Sequence, residues 1–201
     1  MTRHPTSLSP AYFAGLYADD PDPWRFATSD YERAKYAATL AALPRPRYAS
    51  ALEVGCSIGV LTRQLGSRCG ALTALDVVSS VLERARVACA DQTQIRFLQA
   101  AVPGDWPDGR YDLILLSEIA YYLDRADLAR LVACVETALL PGGDIVLVHY
   151  LGETDYPLSG DAAADGFIQG SAGFAEILAQ SRTAEYRLDV LRRAVPEVAV
   201  A

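Results

Sequence analysis

The segment Leu52-Glu53-Val54-Gly55-Cys56-Ser57-Ile58-Gly59 offers the most chemistry in the chain. An apolar run turns there through small residues into an amphipathic stretch, the pattern of a strand passing into a helix. Gly55 opens backbone angles that a Cβ would forbid, and bare main chain can approach a ligand closely. Gly59 would let the following helix pack tightly against the strand. About twenty residues on, Asp76 ends a second apolar run and can accept hydrogen bonds from both hydroxyls of a ribose. The competing role for Asp76 is a helix N-cap; for Glu53 it is a strand-end carboxylate bonded to nearby backbone amides. The pattern is Glu-x-Gly-x-x-x-Gly, so it departs from the Gly-x-Gly-x-x-Gly dinucleotide fingerprint.

The elements that must hold these residues follow from Ser50 onward. Short apolar runs alternate with longer amphipathic ones, which predicts βαβ units and a mostly parallel, doubly wound α/β sheet of Rossmann-like type. Strands are expected at 51–54, 71–75, 95–98 and 113–116, with helices at 58–65 and 78–89 and another from Asp124 to about Leu139. The 113–116 run is apolar on both faces, as a central parallel strand must be. Leu140-Pro141-Gly142-Gly143 should break the helix before a fifth strand at 144–150. A short helix at 161–169 precedes two strands, 174–180 and 185–192, whose short link favours an antiparallel C-terminal edge pair and completes seven strands. Thr28 or Ser29 can cap a helix from about Asp30 to Leu43, stopped by Pro44-Arg45-Pro46. Lying outside the alternating pattern, it is placed as a lid over the ligand crevice. We expect one domain over 1–201, with an N-terminal lid segment at 1–47 and a Rossmann-like core at 48–201.

Taken together, Glu53 to Gly59, Asp76, Ser117-Glu118-Ile119-Ala120-Tyr121-Tyr122-Leu123 and Leu140-Pro141-Gly142-Gly143 resemble class I S-adenosylmethionine-dependent methyltransferases. More narrowly, Asp22-Pro23-Trp24-Arg25, Tyr31-Glu32-Arg33, the 118–123 run and Pro141-Gly142-Gly143 resemble the nodulation protein S (NodS)-like group over roughly residues 20 to 150. That group N-methylates the free amino group of a deacetylated chitooligosaccharide. The resemblance implies S-adenosyl-L-methionine as cofactor and S-adenosyl-L-homocysteine as product. It places Gly55, Cys56 and Gly59 around the methionine arm, Asp76 on the ribose, and Glu53, Val77 and Ser117 in the same shell. Trp24 and Arg33 would close over the cofactor, with Arg33 pairing its carboxylate. Their plain alternatives are core packing and a solvated helix position. Many relatives carry an acid that receives the adenine amino group after the third strand. Here Ala100-Ala101-Val102-Pro103 stands instead, so backbone groups at Ala101 and Val102, or Asp105, must substitute.

Methyl transfer is an in-line displacement at a sulfonium carbon, and the protein's work is to align nucleophile, methyl and sulfur away from water. Ligands of open α/β sheets sit beyond the carboxyl ends of the strands, which selects Ser117-Glu118 and His149-Tyr150 as the acceptor side. Glu118 and Tyr122 are expected to orient an amine or sugar hydroxyl, with the alternative that one of Tyr121 and Tyr122 only packs. His149 is a candidate general base that would favour oxygen over nitrogen; a structural histidine is the commoner case.

The formal charge of −7 disfavours nucleic acid and anionic lipid partners. Met1-Thr2-Arg3-His4-Pro5 opens no apolar signal region, and no run is long enough to cross a bilayer, so a cytoplasmic protein is expected. The scattered Cys56, Cys69, Cys89 and Cys134 read as buried thiols without a metal site. The leading function is methyl transfer to an amino or hydroxyl group of a small-molecule or oligosaccharide acceptor, typically a carbohydrate or carbohydrate-containing natural product. The chain would act as monomer or homodimer, alone or beside a fused or neighbouring enzyme domain. The rival classes are a non-catalytic cofactor-binding domain that supports a partner and a nicotinamide-dependent oxidoreductase. The missing adenine acid keeps the first in play, and the absent Gly-x-Gly-x-x-Gly weighs against the second.

Overall fold

A computed structural model describes residues 2–196. Seven strands form one sheet in the order β3-β2-β1-β4-β5-β7-β6, in which β1 is Tyr48–Val54, β2 Cys69–Asp76, β3 Ile95–Gln99 and β4 Tyr111–Ser117. β5 is Leu139–Tyr150, β6 Ala175–Arg182 and β7 Tyr186–Arg193. The first five strands pair in parallel, while β7 runs antiparallel between β5 and β6. The expected antiparallel C-terminal pair is therefore present, with the last strand inserted inside the first. Chain order runs outward from β1 to β3 on one side and from β4 to β5 on the other. That reversal between β1 and β4 opens the crevice where α/β sheets bind ligands.

The central strands explain themselves by burial. Leu113, Ile114, Leu115 and Leu116 of β4 are all fully buried, so the sheet is covered on both faces. One face packs on α5 (Arg125–Ala138) and α6 (Gly160–Ser171). Asp124 caps α5 by accepting from the Ala126 and Asp127 amides at 2.9 and 3.0 Å. Its buried stripe, Leu128, Leu131, Val132, Val135 and Ala138, repeats at helical spacing. The other face is covered by α2 (Asp30–Ala42) and α3 (Val60–Gly66), while α4 (Ser79–Ala88) follows β2. Ser29 caps α2 by accepting from the Glu32 amide, as the sequence requires.

Three sequence expectations are corrected. α3 starts two residues later than expected, because Gly59 takes a left-handed φ of 83° as its N-cap. A Cβ at Gly59 would stand 2.9 Å from the Ala85 Cβ, so this glycine lets α3, which packs on the strands through Leu61 and Leu65, also close on α4. Pro141-Gly142-Gly143 does not separate a helix from β5. β5 already begins at Leu139 opposite Tyr111, and the register jumps so that Leu113 next faces Asp144. Gly142, at φ 72°, absorbs the extra residues. Finally, a further helix, α1 (Pro10–Asp19), precedes α2 where no element was expected. No helix among the described residues is long and apolar enough to cross a membrane.

Candidate active site

The carboxyl ends of β1, β2 and β4 converge on one cleft of about 1080 Å³, its open mouth included. Glu53, Gly55, Cys56, Asp76, Val77, Ala101, Val102, Ser117, Glu118 and Tyr122 all line it, as the sequence reading required. Gly59 does not; it acts one step back, by letting α3 dock.

The floor is built from the turn after β1. Gly55 adopts φ 82° and Ser57 φ 47°, and a Cβ on Gly55 would collide with the Ile119 side chain. The glycine thus leaves room for Ile119, itself part of the cleft wall, and exposes bare backbone at the turn. Asp76 Oδ2 accepts the Ser57 amide at 2.9 Å and Oδ1 the Val78 amide at 3.0 Å. Its bracing role is therefore real, and each oxygen keeps a lone pair for a ligand hydroxyl. Burial raises the Asp76 carboxyl, and the backbone amides offset part of that rise. Glu53 is 2% exposed, and its Oε2 has no partner. Desolvation pushes its carboxyl up to about 7; the Thr62 hydroxyl opposes that rise and nearby Asp76 adds to it. An orphaned buried carboxylate on a cleft wall is the arrangement that awaits a cationic or donor group.

The wall beyond β2 and β3 is Val77 and the Ala100 to Val102 stretch. Asp105 does not reach into the cleft, since its carboxylate accepts the Ala101 amide at 3.2 Å and so closes its own turn. Only backbone groups and apolar surface are offered there.

The roof comes from the N-terminal segment. Phe13 and Tyr17 of α1 face the cleft, with Trp24 and Phe26 from the link to α2. Trp24 stacks on Phe26 at 5.5 Å between centroids and meets Tyr17 edge-on at 5.6 Å. The Tyr17 hydroxyl lies 2.5 Å from Ser57 Oγ, which ties this roof to the floor. Trp24 thus lines the cleft. Arg33 does not: its exposed guanidinium pairs with Asp30 on the solvent side of α2, whose buried positions are Glu32, Lys35, Tyr36 and Thr39. The plain alternative for Arg33 is the observed one.

On the acceptor side, Glu118 takes φ 62° at the end of β4. Its Oε1 accepts Lys35 Nζ at 2.5 Å, and its Oε2 accepts the Tyr121 hydroxyl at 2.5 Å and the Tyr150 amide at 3.0 Å. Tyr122 lines the cleft while Tyr121 lies behind it, so the two tyrosines divide the tasks. His149 is fully buried and is not on the cleft wall. Its Nε2 accepts the Ala120 amide at 3.2 Å, leaving the hydrogen on Nδ1, which has no partner. Desolvation pushes this imidazole down to about 4. The structure makes His149 an internal brace of the 118–123 loop and does not bring it to an acceptor.

Sequence reasoning missed α1 and Lys35. The signal for α1 was Ser9-Pro10, a cap residue followed by proline at the first helical position. Lys35 carries no sequence signal, because a lysine on a capped helix reads as solvent-exposed.

Comparison with known proteins settles the family. A family model described as Nodulation protein S (NodS) matches residues 15–147. The chain belongs to the NodS family. Nodulation protein S of Rhizobium tropici is 35% identical over 133 residues, covering 65% of this chain and 55% of the relative. The chain spans about half the length of the curated NodS relatives it matches. A crystallised Pseudomonas syringae protein, assigned as a methyltransferase by inference, is 38% identical with a TM-score of 0.71, over 81% of this chain and 99% of that one. The N-methyltransferase NodS from Bradyrhizobium japonicum, crystallised with S-adenosyl-L-homocysteine, superposes with a TM-score of 0.79 at 22% identity, over 91% of this chain and 97% of that one. The fold of that NodS enzyme is shared over most of both chains.

Proposed function

We propose that this NodS-family chain is an S-adenosylmethionine-dependent N-methyltransferase acting on a small acceptor that carries a free amino group, of the amino-sugar class. The carrying observation is the cleft at the β1/β4 reversal, which joins the bare backbone of the Gly55 turn, the Asp76 oxygens and an unpartnered buried Glu53 carboxylate. These features fit the cofactor piece by piece. Asp76 would hold the ribose hydroxyls, and the bare backbone from Gly55 to Ser57 would lie along the methionine arm. Glu53 would face its cationic end, while Val77 and Ala100 to Val102 would bound the adenine. When bound, the cofactor supplies a methyl group on a sulfonium, activated for displacement.

The chain's own residues then have three tasks. Trp24, Phe26, Phe13 and Tyr17 exclude water from the reacting centre. Glu118 receives an acceptor hydrogen and aims the nucleophile along the displacement line. Tyr122 supplies a ring face beside it. A neutral amine attacks without a general base, whereas a hydroxyl normally needs one. His149 stands off the cleft with its Nε2 already occupied, which favours nitrogen over oxygen as the nucleophile.

The test is transfer of labelled methyl from S-adenosylmethionine to amino sugars and deacetylated chitooligosaccharides, each beside a deaminated analogue. Transfer that disappears on deamination supports the reading. Transfer that survives deamination moves the reading to oxygen, and cofactor binding without transfer to any acceptor leaves a supporting, non-catalytic domain.

A further inference from the structure

The inward face of α2 is chemically unusual. Its buried residues are Glu32, Lys35, Tyr36 and Thr39, where a docked helix ordinarily shows an apolar stripe. Lys35 is 2% exposed. Its Nζ donates to Glu32 Oε1 at 2.9 Å and to Glu118 Oε1 at 2.5 Å, and stands 5.0 Å from the centroid of the Tyr31 ring. Buried ion pairs seldom repay their desolvation against well-packed apolar side chains, so stability is a poor explanation for a lysine here. The far end of the pair is more informative, because Glu118 lines the cleft.

Glu118 holds a left-handed φ, a conformation that persists in a residue with a Cβ only where surrounding bonds enforce it. Those bonds are present. The Glu118 amide donates to the Val148 carbonyl at 2.8 Å, and Oε2 accepts from both Tyr121 and Tyr150. Of the four lone pairs on a carboxylate, Oε2 has used two and Lys35 takes one of the two on Oε1. One acceptor position is left, and the bond to Lys35 fixes where it points.

We infer that Lys35 is a positioning residue for methyl transfer, which acts through Glu118 by aiming the carboxylate's one open lone pair at the acceptor. The same bond makes α2 and the acceptor side a single unit. This inference rests on the proposed methyltransferase reading and goes beyond it by assigning a role to a helix that does not itself line the reacting centre at position 35.

The experiment compares Lys35→Met, Glu118→Gln, the double variant and Glu32→Gln in the whole chain. Each is assayed for S-adenosylhomocysteine affinity by calorimetry and for turnover of labelled methyl onto deacetylated chitooligosaccharide at saturating cofactor. Lys35→Met is expected to keep cofactor affinity within about threefold while turnover falls by about 30-fold or more, the scale of a misaimed group. The double variant should be no slower than Glu118→Gln alone, because both changes remove one device. Glu32→Gln, which retains the Lys35–Glu118 bond, should stay within about threefold of wild type. Should Lys35→Met not fold, Lys35→Arg replaces it with the same expected non-additivity.

Multiplying losses in the double variant would overturn the inference, as would equal losses in Glu32→Gln and Lys35→Met, or cofactor affinity falling in step with turnover. Those failures all appear against an active wild type. A wild type that binds cofactor and methylates nothing would instead overturn the proposed function, and this inference with it.

Discussion

Glu53 carries a cost that can be measured without any substrate. Burial lifts its carboxyl from an ordinary 4.5 to about 7. A carboxyl raised on folding favours the folded state while it is protonated, and that contribution is lost as pH rises through 7. At about 1.4 kcal/mol for each tenfold change in proton affinity, the ionised side chain costs the ligand-free protein about 3 kcal/mol by pH 8. At pH 5 the cost is below about 1 kcal/mol. Glu53→Gln keeps the shape and removes the charge. Urea unfolding should therefore show the variant more stable by about 3 kcal/mol at pH 8, a large share of a typical 5–15 kcal/mol, with the gap closing toward pH 5. The same variant should bind S-adenosylhomocysteine more weakly, and the wild type should bind it more tightly as pH rises through 7. A stability gap equal at pH 5 and pH 8, or a variant less stable at pH 8, would refute the reasoning.

Other perturbations separate bracing from binding. His149→Gln should lower the midpoint of unfolding, and because the buried imidazole is pushed down to about 4, wild-type stability should fall between pH 6.5 and 4 by about 3 kcal/mol more than that of the variant. Matching acid profiles for the two proteins would show that His149 is not buried neutral. Arg33→Ala should leave calorimetric affinity for S-adenosylhomocysteine within about twofold of wild type, since surface ion pairs contribute about 0–1 kcal/mol. Gly59→Ala combines a left-handed φ with a Cβ 2.9 Å from Ala85, and chemical denaturation should register a loss of about 2 kcal/mol or more.

Much of this molecule can be read along the chain because its core strands are local signals. Leu113 to Leu116 is apolar throughout and could only be a central strand, and Asp124 with Ser29 announce two helices by their caps. The Gly55 turn and Asp76 reveal the crevice for the same reason, since each states a backbone or hydrogen-bonding need at its own position. What escaped depends on distant partners. β7 inserts between β5 and β6 through pairing that spacing cannot express. Pro141-Gly142-Gly143 looks like an interruption until Tyr111 is seen opposite Leu139. α1 buries no residue fully, and its one apolar face, Phe13, Leu16 and Tyr17, is half-buried, with Phe13 and Tyr17 roofing the cleft. Arg33 and Lys35 are two basic residues on one helix. Only the direction in which α2 docks makes one a surface residue and the other the clamp on Glu118.

The central claim is that the cleft lined by the Gly55 turn and Asp76 is shaped for an adenosyl-sulfonium cofactor. Calorimetric titration of the wild type and of Asp76→Ala with S-adenosylhomocysteine, with NAD as the control ligand, tests it most directly. The account predicts saturable one-to-one binding of S-adenosylhomocysteine to the wild type, no heat with NAD, and affinity in Asp76→Ala reduced by about 10- to 100-fold as two ribose hydrogen bonds are lost. Equal affinities for wild type and variant, or binding of NAD in place of S-adenosylhomocysteine, would contradict it.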